Sequence, residues 1–246
     1  SQYAKKINSA GHQPPLWAVT RNAQAAPPDN QLKGLADATV WAVCRVMRIE
    51  NPGLKITNID IDARDPDQTA EAVVMEIVAG DGADSVAHRG SRRFVASLSP
   101  IEVPKSAPLC LQADASYIIT GGLGDMGLAV CGHLIERGAR KLVLVGRSAL
   151  SATASEALDR LRADGVKIYV EHVDVAEIEA LRDVITRRQA ESPIRGVVHM
   201  AGVLDDQLIT DLDQERFLNV LRPKVRGGWN LHRLSRELEL NLDFFV

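Results

Sequence analysis

With 246 residues, 46% of them hydrophobic and 25% charged, the chain has the make-up of an ordinary globular protein and the length for one large domain or two small ones. A formal net charge of −3 argues against a nucleic-acid binder that works through bulk positive charge; no apolar run is long enough to span a bilayer, and residues 1–6 lead into no signal-peptide core. Three cysteines, Cys44, Cys110 and Cys131, odd in number and far apart, predict buried thiols in a reducing, cytoplasmic compartment rather than disulfides or a metal centre.

The first half reads as an α/β unit. Residues 15–20 are strand-like and 22–30 form a polar, proline-bearing loop. Residues 35–49 carry Val40, Trp41, Cys44 and Met47 at helical spacing until Asn51-Pro52-Gly53 stops the helix. Residues 55–62 alternate strictly, which predicts a half-exposed strand, and a helix over 67–79 ends at Gly80. Residues 86–89, a Gly90-Ser91 turn and residues 92–96 predict a hairpin. The loop after the first strand, Arg21-Asn22-Ala23-Gln24, has no glycine, so phosphate cannot approach its backbone closely. This half is expected to be a scaffold without cofactor. Pro100, Pro104 and Pro108 then mark a linker. Thr20 and Thr120 each follow a short apolar strand, a hint of two related halves.

The second half alternates strands and helices at the spacing of βαβ units. The strand Tyr117-Ile118-Ile119 enters Thr120-Gly121-Gly122-Leu123-Gly124-Asp125-Met126-Gly127 and leaves as an apolar helix over 128–136. This is the strand–turn–helix context of a dinucleotide fingerprint: glycines let the backbone turn tightly and approach a pyrophosphate, and the helix N-terminus offers it free N–H groups. The strand 141–145 is followed by Gly146-Arg147-Ser148. Arg147 lies twenty residues beyond Gly127, where an acidic residue would take a ribose hydroxyl and an arginine suits a 2′-phosphate. The pair therefore favours NADP.

A helix over 155–164 is opened by Thr153-Ala154-Ser155-Glu156, which fits a capping box. The strand 166–173 ends at Asp174, whose carboxylate could accept from an adenine amino group or cap the next helix. After a helix over 178–189, the strand 194–200 ends at His199-Met200-Ala201-Gly202, small enough to leave room for a nicotinamide ribose. His199 itself reads as a packed strand residue. Two helical stretches separated near Pro223 follow, and residues 242–246 begin a fifth strand. Lys224, within Arg222-Pro223-Lys224-Val225-Arg226, reads as one charge of a solvated cluster or as a site residue. Leu204-Asp205-Asp206 is equally open between a turn and a functional loop. No histidine or cysteine array predicts a metal. Opening on Ser1 and stopping in mid-strand, the chain reads as a segment of a longer protein, with Phe244 and Phe245 expected to be poorly covered.

Together these pieces resemble the ketoreductase domain of modular type I polyketide synthases, close kin to that of animal-type fatty acid synthase. The glycine loop, Gly146-Arg147-Ser148, Val173-Asp174-Val175, His199-Met200-Ala201-Gly202-Val203-Leu204-Asp205-Asp206 and Pro223-Lys224-Val225 look like its motifs, in its order. Trp17-Ala18-Val19-Thr20-Arg21-Asn22-Ala23-Gln24 and Arg92-Arg93-Phe94-Val95-Ala96 resemble the opening and closing strands of its structural subdomain.

The resemblance implies an α/β fold of two Rossmann-like units. Residues 1–99 would be a structural subdomain without cofactor and 100–114 a linker. Residues 115–246 would be the NADP-binding part of an extended short-chain dehydrogenase/reductase sheet, incomplete at its C-terminus. It also implies NADPH-dependent reduction of a β-ketoacyl thioester carried on the phosphopantetheine arm of an acyl carrier protein. The partners would be neighbouring synthase domains, with no nucleic acid and no membrane. Thr120, Gly121, Gly122, Leu123, Gly124, Met126 and Gly127 would hold the cofactor together with Gly146, Arg147, Ser148, Asp174, Val175, Met200, Ala201 and Gly202. Lys224 would be the catalytic lysine, which orients cofactor and lowers the pKa of a proton-donating tyrosine. Leu204, Asp205 and Asp206 resemble the substrate-orienting loop of the B-type class, which gives the D-hydroxy product. The family's serine, tyrosine and asparagine follow the fifth strand, so the chain alone is expected to be inactive. A free-standing short-chain reductase and a non-catalytic scaffold for neighbouring domains are the alternatives.

Overall fold

A computed structural model describes residues 14–27, 33–62, 66–102, 110–163 and 165–246. Its contacts fall into two units, Ser1–Pro104 with Gln207–Leu212, and Lys105–Asp206 with Asp213–Val246. The expected loop over 22–30 and the linker over 100–114 fall partly outside the described residues.

The first unit runs β1 (Leu16–Arg21), α1 (Leu35–Glu50), β2 (Ile56–Ile61), α2 (Pro66–Ala79), β3 (Ser85–Arg89) and β4 (Arg92–Val95). The sheet order is β1-β2-β3-β4, parallel except for β4, which returns antiparallel from a turn at Gly90. Cys44 and Met47 of α1 pack with Leu54 and Ile56, joined by Leu16, Ala18 and Ile209. The Ile209 N–H donates to Glu50 at 2.7 Å.

The alternation over 55–62 does not make a half-exposed strand. β2 lies between two neighbours and is buried at five of its six positions. Its polar members are interior: the Asp60 side chain is 0% exposed and that of its partner Arg89 is 4%. A buried carboxylate needs partners for its lone pairs, and Asp60 has four. Oδ1 accepts from the Thr20 hydroxyl at 2.7 Å and the Ala23 N–H at 2.9 Å, and Oδ2 from the Gln24 N–H at 3.1 Å and Arg89 at 2.6 Å. The loop that would bind phosphate in a nucleotide fold is thus closed by the protein's own ion pair. A second polar core lies under α2, where Glu76 bonds His88 at 2.8 Å and Arg93 at 2.6 and 3.0 Å.

The second unit runs β5 (Ser116–Thr120), α3 (Asp125–Glu136), β6 (Lys141–Gly146), α4 (Ala152–Ala163), β7 (Lys167–His172), α5 (Ile178–Glu191), β8 (Ile194–His199), α6 (Gln214–Leu221), a π-helical turn (Arg222–Gly227), α7 (Gly228–Glu237) and β9 (Phe244–Phe245). The sheet is all parallel in the order β7-β6-β5-β8-β9. β5 is buried at every position. Tyr117, Ile119, Leu142 and Leu144 face Cys131, Leu134 and Leu158 on one side. Ile118, Val143, Val145 and Val197 face Leu181, Val184, Ile185, Leu231 and Leu234 on the other. Strand order reverses between β5 and β8, which opens a crevice at the carboxyl ends of the strands.

Three local expectations change. α4 starts at Ala152, and its first turn is capped by the Ser151 hydroxyl, which accepts from the Ala154 N–H at 3.1 Å; Thr153 bonds Ser151 instead of forming the box. The helices flanking Pro223 are not separated. A proline has no N–H and its ring clashes in an α-helical interior, and the chain widens to one π-turn and continues. Phe244 is covered as well. Its ring stacks parallel to Tyr117 at 5.9 Å, in space left by Gly196, where a Cβ would stand 2.3 Å from a ring carbon. Phe245 stays 43% exposed.

Candidate dinucleotide site

β5 ends at Thr120, and the chain turns over the sheet edge at Gly121, whose φ is +69°. A Cβ there would meet the Met200 carbonyl at 2.9 Å, and one at Gly127 would stand 2.5 Å from the Gly122 Cα. These glycines let three backbone segments touch. Gly124 differs: the nearest atom to its Cβ position is 3.8 Å away. It is also the N-cap of α3, with no side chain accepting from the first turn. An open glycine beside an uncapped helix N-terminus suits a pyrophosphate.

Beside it is a cavity of about 370 Å³. Gly121, Leu123 and Gly124 line one wall; Gly146, Arg147 and Ser148 after β6, and Asp174 and Val175 after β7, line the next; Ala201, Gly202 and Pro223 complete it. Four strand ends therefore converge on one cavity. Thr120, Gly122, Met126, Gly127, Met200, Lys224 and Leu204-Asp205-Asp206 do not line it. Gly122 and Gly127 shape the loop from behind, and Met126 is 73% exposed on the first turn of α3.

Thr120 is fully buried, and its hydroxyl is a junction. It accepts from the N–H groups of Met200 and Ala201, each at 3.1 Å, which leaves its single proton for His199 Nδ1 at 2.7 Å. This assigns the proton of a neutral His199 to Nε2, from which it is donated to the Pro223 carbonyl at 3.1 Å. Burial holds the imidazole below its usual pKa, in keeping with the neutral form. One histidine thus ties the ends of β5 and β8 to the π-turn. Lys224 is the next residue, its Nζ 3.5 Å from where a Gly202 Cβ would stand. Spacing in the sequence gave no sign of this link; the signal was only a histidine at a strand end.

Charge gathers at the far end of the cavity. The Arg147 side chain is 55% exposed, with Nη1 3.9 Å from Asp174 Oδ2. Arg222 approaches the same oxygen at 3.3 Å and Glu177 at 2.5 Å. Asp174 Oδ1 accepts from the Ala176 N–H at 2.9 Å. Sequence reasoning did not single out Arg222, nor Ser151 and Ala149, which also line the cavity. In the 204–206 loop, Leu204 is 89% exposed and Asp205 pairs with Arg216 at 3.4 Å. Tyr117 is sealed in β5, Tyr169 lies under the Arg188 guanidinium at 3.9 Å, and Tyr3 is outside the described residues.

Comparison with known proteins gives two family matches. The KR domain model matches residues 115–246, and the Rossmann fold domain of the polyketide synthase extender module SpnB matches residues 7–98. A phenolphthiocerol/phthiocerol polyketide synthase of Mycobacterium tuberculosis is 35% identical over 237 residues, which cover 94% of this chain and 13% of that protein. Polyketide synthase GfsE of Streptomyces halstedii is 37% identical over 233 residues, 92% of this chain and 6% of its own. The chain thus spans a small part of the length of these relatives. Among solved structures, PlmKR1, the ketoreductase from the first module of phoslactomycin biosynthesis in Streptomyces sp. HK803, is 30% identical with a TM-score of 0.82, covering 99% of this chain and 57% of that one. An A-type ketoreductase from a modular polyketide synthase is 31% identical with a TM-score of 0.79, covering 99% and 53%.

Proposed function

Since this chain belongs to the KR domain family of polyketide synthases, we propose that it is the NADPH-holding part of a β-ketoreductase acting on a β-ketoacyl thioester carried by an acyl carrier protein. The observation that carries the reading is Arg147, a half-exposed guanidinium at the cavity edge after β6. Gly124 and the first turn of α3 bind the pyrophosphate, Arg147 the 2′-phosphate, and Asp174 with Val175 the adenine. Ala201 and Gly202 leave room at the nicotinamide end. Lys224 beside them orients the ribose and, as the family resemblance implies, lowers the pKa of a proton-donating tyrosine. NADPH, when bound, supplies the hydride. The Thr120–His199–Pro223 chain of hydrogen bonds holds the turn that carries Lys224, and it keeps water-seeking polar groups paired beside the site.

Leu204, Asp205 and Asp206 steer the pantetheine arm to one side of the cleft, so the product is the D-hydroxyacyl thioester. Neighbouring synthase domains and the carrier protein are the partners.

The test is equilibrium titration with both dinucleotides. The chain is expected to bind NADPH more tightly than NADH, and Arg147→Asp to narrow or reverse the gap, losing about 1.5–3 kcal/mol for NADPH as one charge-assisted contact disappears. Equal affinities in the unaltered chain would refute the assignment.

A further inference from the structure

Arg147 and Arg222 converge on one oxygen of one carboxylate. Arg222 is the nearer, at 3.3 Å against 3.9 Å, and it is tethered from behind by Glu177 at 2.5 Å. Asp174 is 19% exposed, and its other oxygen is occupied by the Ala176 N–H. A phosphate dianion arriving at Arg147 therefore comes close to a fixed negative charge. Without Arg222, Asp174 would do two unfavourable things: repel the phosphate and draw the Arg147 guanidinium onto itself. With Arg222 in place, its guanidinium shared between Glu177 at 2.5 Å and Asp174 at 3.3 Å, part of the Asp174 charge is offset, and Arg147 stays loosely held at 3.9 Å.

We propose that Arg222 is a specificity-determining residue for the 2′-phosphorylated dinucleotide, acting through Asp174: it offsets part of that carboxylate's charge and so leaves Arg147 available for the phosphate. This rests on the reading of Arg147 above. Arg222 touches no part of the dinucleotide in this scheme, and its effect is a change in selectivity rather than in overall binding.

The readout is the ratio of the NADH to the NADPH dissociation constant at low ionic strength, where screening of half-exposed charges is weakest. Any general loss at the adenine end affects both dinucleotides and cancels in the ratio. Arg222→Ala lowers the ratio roughly fivefold, about the limit for one partly solvated ion pair, and Arg222→Gln does the same with less change in volume. Adding Asp174→Asn to Arg222→Ala removes the unmatched charge and returns the ratio to within about twofold of the parent. Arg147→Ala run alongside collapses the ratio in every background. Thermal melts confirm that each variant is folded.

Two results overturn the proposal while leaving the Arg147 reading intact. One is a ratio that Arg222→Ala leaves unchanged although Arg147→Ala collapses it. The other is a double variant that stays as poor as Arg222→Ala alone, which means Arg222 meets the phosphate directly. A parent with no preference, or one that Arg147→Ala does not alter, removes the underlying reading and the proposal with it.

Discussion

Two glycines three residues apart in the same loop are expected to respond oppositely to alanine. At Gly121 the left-handed φ of +69° costs a residue with a Cβ roughly 1–2 kcal/mol. The new methyl would also stand 2.9 Å from the carbonyl carbon and oxygen of Met200. That peptide cannot retreat cheaply, because the Met200 and Ala201 N–H groups are held by the Thr120 hydroxyl at 3.1 Å. Overpacking of this kind adds about 1–3 kcal/mol, so Gly121→Ala should destabilise the second unit by about 2–5 kcal/mol. At Gly124, φ is −85° and no atom lies within 3.8 Å of the Cβ position. Alanine there should change stability by less than about 1 kcal/mol, the usual difference between glycine and alanine at an N-cap. Its methyl, however, fills the one open position of the cradle, and NADPH binding should weaken at least about tenfold, or 1.4 kcal/mol. Hydrogen exchange of the β5 and β8 amides across a urea series measures the first effect, with the first unit as internal reference; dinucleotide titration measures the second. Unimpaired NADPH binding by Gly124→Ala would mean that the pyrophosphate does not lie on this loop. Parent-like exchange in Gly121→Ala would mean that the contact with Met200 is not a constraint.

Thiol labelling should find one fast cysteine, the exposed Cys110. Burial raises the Cys44 thiol and pushes Cys131 up to about 12, so both should react only on unfolding; rapid labelling of a second thiol in the native protein would contradict this. In the first unit, the hydrogen bonds from Arg93, aided by His88, hold the Glu76 carboxyl below its ordinary value. A group depressed in the folded state stabilises above its unfolded pKa and loses that contribution as pH falls through the folded value. Acid unfolding below about pH 4.5 should therefore be shallower in Glu76→Gln, and an identical acid limb would discount the pair. Turnover of a model β-ketoacyl thioester by the 246-residue chain should be about 10²–10⁴-fold below that of a version extended through a serine and tyrosine, because neither described tyrosine, Tyr117 or Tyr169, lines the cavity and a general acid contributes about that much. A version extended through a serine and tyrosine should give mainly the D-alcohol by chiral analysis; a mainly L product would make Leu204-Asp205-Asp206 an ordinary turn.

The strand–glycine turn–helix at 116–136 was legible because its demands are local. A strand, glycines at fixed offsets and a helix all fall within one short stretch, and Arg147 and Asp174 follow from where strands end. The alternating sheet of the second unit was legible for the same reason. What escaped the sequence was pairing across long separations. Asp60 and Arg89 are 29 residues apart, and an aspartate in an alternating strand looks the same whether it meets solvent or an arginine. The Thr120–His199 bond spans 79 residues, and the Pro223 carbonyl in the π-turn takes its side-chain donor from a strand 24 residues away. Phe244 looked exposed because nothing in a glycine at position 196 announces that a ring will fill the space beside it.

The ion pair that closes the first unit's loop also constrains how that unit can change over time. Losing either member strands a charge in the interior at a cost of roughly 3–5 kcal/mol, a large share of the 5–15 kcal/mol that keeps a typical domain folded. Each single replacement therefore leads into an unstable intermediate. A glycine introduced at Ala23 or Gln24 would not reopen the loop, because the N–H groups a phosphate needs there are already held by Asp60. Nucleotide binding at this loop would require the carboxylate, the guanidinium and the loop to change together.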